Sequence, residues 1–153
     1  MRAGDHPAEV HEGFALSWNV GWALTKLERH ADSIAHFERS VELEPDNPSA
    51  NWALGVALLE LAEFERAEKV LAESIQQKSS HLNRMSLALL YLKLDRLDDA
   101  ERVHLDGLAE RRTKERLLNY AAFLGDVGRA EEEASVEAEA ITAKSERKRP
   151  ATQ

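Results

Sequence analysis

Residues 48–81 can be laid over the segment that begins at Phe14 so that one residue type after another falls in register, always at an offset of thirty-four residues. Trp18 falls on Trp52, Val20 on Leu54, Gly21 on Gly55, Ala23 on Ala57, Leu24 on Leu58, Leu27 on Leu61, Ser33 on Ala67, Phe37 on Leu71 and Ser40 on Ser74. A constant period of that length, filled with paired helical patterns, marks a stacked repeat array, because one unit cannot bury its apolar face alone. The period thus constrains the fold tightly and the ligand hardly at all.

Within the first unit, Phe14, Ser17, Val20, Gly21, Leu24 and Leu27 recur at steps of three and four, which puts them on one face of a helix running to about Glu28. Asp5 ahead of Pro7 is a candidate start for that helix, since aspartate caps free amides and proline tolerates the first turn. A short polar joint over residues 29–32 precedes a second pattern of Ile34, Phe37, Val41 and Leu43, which stops at Glu44-Pro45-Asp46-Asn47-Pro48. So short a joint predicts two antiparallel helices.

Asn47-Pro48 is a cap-then-proline start for the next helix, which carries Trp52, Leu54, Gly55, Leu58, Leu59 and Leu61. A turn at Ala62-Glu63 leads to Ala67, Val70, Leu71, Ser74 and Ile75, and Ser79-Ser80 can cap the helix after that one. The pairing returns at a step of thirty-three: Leu87, Ala88, Tyr91 and Leu94, a turn at Asp95-Arg96, then Ala100, Val103, Gly107 and Leu108. A weaker fourth unit holds Leu117, Tyr120, Ala121, Leu124 and Val127, with Gly125 and Gly128 at its helix end. The Glu- and Ala-rich segment 130–143 reads as a polar cap, with Val136 and Ile141 as its only larger apolar residues. The predicted organisation is a lead over 1–13, repeat units over 14–47, 48–80, 81–113 and 114–143, and a basic disordered tail over 144–153.

Composition narrows the function classes. With 43% hydrophobic and 31% charged residues over 153 positions, one ordered domain is expected. No cysteine is present, which excludes disulfides, thiolate zinc sites and cysteine nucleophiles. Asp5, His6, Glu9, His11 and Glu12 break any signal-peptide core, and no apolar run reaches a membrane span, so a cytoplasmic location is expected. A net charge of -8 disfavours an electrostatic grip on nucleic acid or anionic lipid.

On these residues the chain resembles the tetratricopeptide repeat family, whose unit follows W-x2-L-G-x2-Y, then A-x3-F, then P. The first unit matches at Val20, Gly21, Leu24, Ser33, Phe37, Ser40 and Pro45; the second at Leu54, Gly55, Leu58, Ala67, Leu71 and Ser74; the third at Leu87, Ala88, Tyr91, Ala100 and Gly107. The likeness runs from Phe14 to about Ala143. The family tryptophan falls on Ser17, Asn51 and Arg84, while Trp18 and Trp52 come one place later, and the closing proline survives only as Pro45. The resemblance implies an all-α, right-handed α-solenoid of about four helix-turn-helix units with a polar C-terminal capping helix. It further implies a concave groove, lined by the first helices, that receives a segment of another protein.

The fifth, ninth and twelfth positions of each unit share one side of the first helix. They are Trp18, Trp22 and Thr25, then Trp52, Val56 and Leu59, then Met85, Leu89 and Leu92. All three tryptophans fall on this stripe, and tryptophan is enriched at binding hot spots. Trp18 and Trp52 also fit a packing role, replacing the displaced family tryptophan between helices, whereas Trp22, Val56 and Met85 have no such role to fill. Asn19 and Asn51 are candidates for reading a partner's backbone. The Lys, Asn and Arg set by which one branch of the family clamps carboxylate tails is missing, so an apolar or amphipathic helix is the better fit.

The sequence carries no phosphate loop, nucleophile elbow or paired-histidine metal motif, and His6 and His11 are spaced onto different helix faces. The glutamates read as solvated faces, and Arg111-Arg112 and Arg147-Lys148-Arg149 as solvated ends. No enzyme activity, cofactor or metal is expected. The leading expectation is a protein-interaction adaptor; self-association through faces or ends is the alternative, and single-stranded RNA binding a weaker one.

Overall fold

The computed structural model of the protein describes residues 7–78 and 80–143. Eight helices follow one another and no strand occurs among the described residues: α1 (Pro7–Lys26), α2 (His30–Leu43), α3 (Pro48–Glu60), α4 (Phe64–Gln77), α5 (His81–Lys93), α6 (Leu97–Glu110), α7 (Lys114–Asp126) and α8 (Ala130–Thr142). The all-α helical repeat expected from the period is what the chain forms. Asp5, Ser79 and the tail over 144–153, for which a cap or a disordered state was expected, lie outside the described residues. The chain divides into two compact units, Met1–Leu90 and Tyr91–Gln153. In the first, α1 packs on α2, α2 on α3 and α3 on α4; in the second, α6 packs on α7 and α7 on α8.

The turn inside each helix pair is built the same way four times. Glu28, Ala62, Asp95 and Gly128 take positive φ, at 58°, 56°, 57° and 79°. The next residue then donates its amide back across the turn: Arg29 to Leu24 O (2.9 Å), Glu63 to Leu58 O (2.9 Å), Arg96 to Tyr91 O (2.8 Å) and Arg129 to Leu124 O (2.8 Å). This six-to-one bond, with the five-to-two bond inside it, closes the last carbonyls of a helix around one left-handed residue. Three of the four positions hold a side chain where glycine would be unstrained. An ion pair three residues long follows each turn: Arg29 with Asp32, Arg96 with Asp99, Arg129 with Glu132, and in reversed polarity Glu63 with Arg66.

Between pairs, side chains stop the helices from running on. Asn47 caps α3, its Oδ1 accepting from the amides of Ser49 (3.0 Å) and Ala50 (3.4 Å), with Pro48 in the first turn as expected from the sequence. Thr113 does the same for α7 through the Arg116 amide, at 3.4 Å.

The close approach of α1 to α2 and of α3 to α4 explains two glycines. A Cβ on Gly21 would stand 2.6 Å from the Phe37 ring, and one on Gly55 2.5 Å from Leu71. Phe37 and Leu71 are fully buried, so neither can withdraw.

Candidate interaction surface

Five aromatic rings run from α1 to α3. Phe14 stacks on Trp18 at 5.9 Å between centroids; Trp18 meets Trp22 edge-on at 5.7 Å; both meet Phe37, at 6.1 and 5.5 Å; and Trp22 reaches Trp52 at 5.7 Å. Offset and edge-on pairs at these distances are the arrangements that ring quadrupoles favour. The series ends in a polar contact, Trp52 Nε1–H donating to Ser86 Oγ on α5 at 3.1 Å.

Trp18, Trp22 and Trp52 are each half-buried. Trp22 packs against both of the others, Trp18 and Trp22 also pack against Phe37, and none of the three residues is fully covered. The packing role considered for Trp18 and Trp52 therefore extends to Trp22. Val56 is half-buried beside them on α3, while Leu59 is in the core at 8% exposure. On α5, Met85 and Leu89 are open, at 40% and 48%. Leu82 is exposed as well. Sequence reasoning missed Leu82, although the steps of three and four from Leu82 to Met85 to Leu89 put the three on one helical face. Leu92, half-buried, belongs to the second unit.

The two asparagines part company. Asn19 is exposed. Asn51 is buried and its Nδ2 donates to Pro45 O (2.9 Å) and Asn47 O (3.1 Å), so its side chain braces the connection between α2 and α3 and is withdrawn from the surface where a partner's backbone could be read. Its spacing of four from Asn47 was the available signal.

The polar chemistry of the chain is concentrated elsewhere. In the second unit Glu101 accepts from the Tyr120 hydroxyl (2.6 Å) and from Arg129 Nη1 (2.7 Å), and Arg129 also pairs with Glu132. The Tyr120 hydroxyl bond and the Arg129 pairing hold the Glu101 carboxyl below its ordinary range. Burial, together with the bond to Glu101, pushes the Tyr120 phenol up to about 12. Glu101 is thus a half-buried bracing group and not the solvated face expected of it; a stable charge held by a tyrosine and an arginine has no proton to exchange near neutrality. Among the described residues no group of His, Asp and Glu is placed to hold a metal ion, and no helix is long and apolar enough to cross a membrane. A cleft of about 440 Å³ lined by Glu44, Pro45, Asp46, Asn47, Pro48 and Lys78 includes none of the aromatic residues.

The family described as anaphase-promoting complex, cyclosome, subunit 3 matches residues 26–106, which is more than half of the chain. The chain belongs to that family. Its units are of the tetratricopeptide type, as the sequence likeness implied. MamA (residues 41 to the end) from Desulfovibrio magneticus RS-1 is similar in structure at a TM-score of 0.64 and 14% identity, over 85% of this chain and 75% of MamA. A tetratricopeptide repeat protein from Parabacteroides merdae ATCC 43184 is similar at 0.68 and 16% identity, over 86% of this chain and 52% of that one. YrrB, described as a TPR protein with an unusual peptide-binding site, is similar at 0.58 and 14%, over 81% of this chain and 65% of YrrB. At such identities the likeness establishes the fold alone. No curated protein matches the chain.

Proposed function

We propose that the protein is a non-enzymatic interaction module that captures an apolar or amphipathic helical segment of a protein partner. Trp18, Trp22, Trp52, Val56, Met85 and Leu89 form the contact surface, with Asn19 at its edge and Leu59 supporting it from the core. The single observation that carries the reading is the open apolar face of α5, where Met85 and Leu89 stand in water next to the Ser86 that holds Trp52. Large apolar side chains gathered on one face of a soluble protein mark an interaction surface. Helical steps along α5 and rigid rings on α1 and α3 suit a helix with anchors at three- and four-residue spacing. Methionine adapts to partners of differing shape. The family membership and the described peptide-binding site of YrrB agree with this class of function.

The test is selection from a displayed library of amphipathic helical peptides, followed by titration of the selected peptides while tryptophan emission is recorded. Selected sequences should carry apolar anchors at helical spacing, and binding should shift the emission, since three tryptophans line the surface. Met85→Glu with Leu89→Glu should abolish binding at unchanged helicity, because both side chains are exposed. Selected peptides that bind the double variant as well as the wild type would place capture elsewhere on the molecule.

A further inference from the structure

Met85 carries the only sulfur among the described residues: the sequence has no cysteine, and its other methionine is Met1. Met85 lies between Leu82 and Leu89 on the open face of α5, three and four residues from them, and the three are 45% (Leu82), 40% (Met85) and 48% (Leu89) exposed. At the same register of the two preceding first helices stand Trp18 and Trp52, both half-buried. The third helix of the series thus places a thioether where the first two hold rings, in the middle of an apolar row that faces water.

An exposed thioether is open to two-electron oxidation by hydrogen peroxide or an organic hydroperoxide. A sulfur lone pair attacks one peroxide oxygen, and the S–O bond forms as the O–O bond breaks. With hydrogen peroxide, the hydrogen of the transferred oxygen passes to the departing hydroxide, which leaves as water. Sulfur gives up two electrons, and no proton is gained or lost overall. The product is a sulfoxide, which puts a strong hydrogen-bond acceptor in place of an apolar sulfur.

The surroundings of Met85 leave that acceptor to water. The side chains of Leu82 and Leu89 carry no donor. The indole N–H of Trp52 is committed to Ser86 Oγ, at 3.1 Å. Ser86 follows Met85 directly, and helix neighbours one residue apart do not face each other. In the free protein, water satisfies the sulfoxide oxygen and the fold is unchanged. Beneath a docked apolar segment, water is excluded and the oxygen is left without a donor, which disfavours docking.

From these observations we infer that Met85 is a modification site, at which a peroxide converts the thioether to the sulfoxide and so weakens the hold on a captured helix, in a form that methionine sulfoxide reductases reverse. This role rests on the capture reading above and adds its regulation. The coupling is reciprocal: a segment docked on α5 covers the sulfur and shields it from peroxide.

Titration of the full chain with a peptide selected as described above, before and after hydrogen peroxide, tests this role. Peptide mapping by mass spectrometry places the added oxygen, and circular dichroism confirms unchanged helicity. Oxidation at Met85 should weaken binding roughly tenfold or more. Treatment with both methionine sulfoxide reductases, one for each sulfoxide epimer, should restore it. Met85→Leu, read against its own untreated affinity, should not change on peroxide treatment, since leucine offers no sulfur. Saturating peptide should slow oxygen uptake at Met85. Oxidised wild type that binds as tightly as the reduced protein overturns the role of Met85. So does a Met85→Leu variant that loses as much affinity on treatment, the mark of damage at a tryptophan, and so does a Met85 that takes up no oxygen in the folded chain. A reduced wild type that captures no peptide removes the capture reading itself, and the regulation with it.

Discussion

The two compact units solve the same packing problem with different chemistry. In the first, glycines let helices close on each other until Phe37 and Leu71 fill the gap, and the rings of Trp18, Trp22 and Trp52 carry the contact onward. In the second, the position matching Phe37 and Leu71 is His104, whose ring lies 5.9 Å from Tyr120 and 5.2 Å from Phe123. There the helices are tied by Tyr120, Glu101 and Arg129, and by the bidentate pair of Arg112 with Glu139 at 2.6 Å for each bond. A helical pair needs its facing surfaces filled and its buried polar groups partnered, and either apolar interdigitation or a saturated polar set meets that need. Only the first leaves tryptophans short of full burial, which is why partner capture is assigned there.

The substitution that breaks this contrast most severely is Phe37→Ala, which empties the space over Gly21 and removes a face from both Trp18 and Trp22. A loss of about 3–5 kcal/mol in denaturant unfolding is expected, with a change in native tryptophan emission. Gly55→Ala is next: the new methyl meets buried Leu71, and the overpacking should cost about 1–3 kcal/mol. Tyr120→Phe in the second unit removes one hydrogen bond but leaves Glu101 paired with Arg129, so a loss of about 1 kcal/mol is expected. The smallest effect is a gain. Ala62→Gly relieves a side chain at φ 56° and should stabilise by up to about 1 kcal/mol; no gain in thermal midpoint would mean that the turn carries no strain.

The polar unit should also be the one that senses pH. Tyr120 keeps its proton in the fold up to about 12, whereas an unfolded tyrosine ionises near pH 10. The folded value is raised, so its stabilisation is complete below the unfolded value and declines as pH rises from there toward 12. Glu101 is shifted the other way, so its contribution is present above the ordinary carboxylate range and fades as pH falls through its lowered value. Ultraviolet titration of tyrosinate should show one late-ionising phenol that Tyr120→Phe deletes. An alkaline stability decline of equal size in Tyr120→Phe would remove the tyrosine from this role.

Much of the fold could be read in advance because it is local. The turn residues Ala62, Asp95 and Gly128, the cap at Asn47 and the glycines at positions 21 and 55 each sit where a helix must end or another must come close. The candidate surface was legible as a stripe, since steps of three and four share a face in any helix. How far each member of the stripe is covered was not legible: Leu59 and Leu89 share the periodicity, yet Leu59 is in the core and Leu89 is open. Glu101 and Asn51 show the same limit for polar groups. Nothing in their spacing says that a tyrosine nineteen residues on or a proline carbonyl six residues back will claim them.

The sequence by itself determined the helical pairs, their period and the four turns between paired helices, because hydrogen bonds within a helix and the left-handed closing residue depend on neighbours a few positions away. Tertiary structure alone decided which apolar side chains are covered, which carboxylate is braced and which face of α5 stays open. Those outcomes depend on what another helix brings to the same space, and a single helical pattern carries no record of its neighbour.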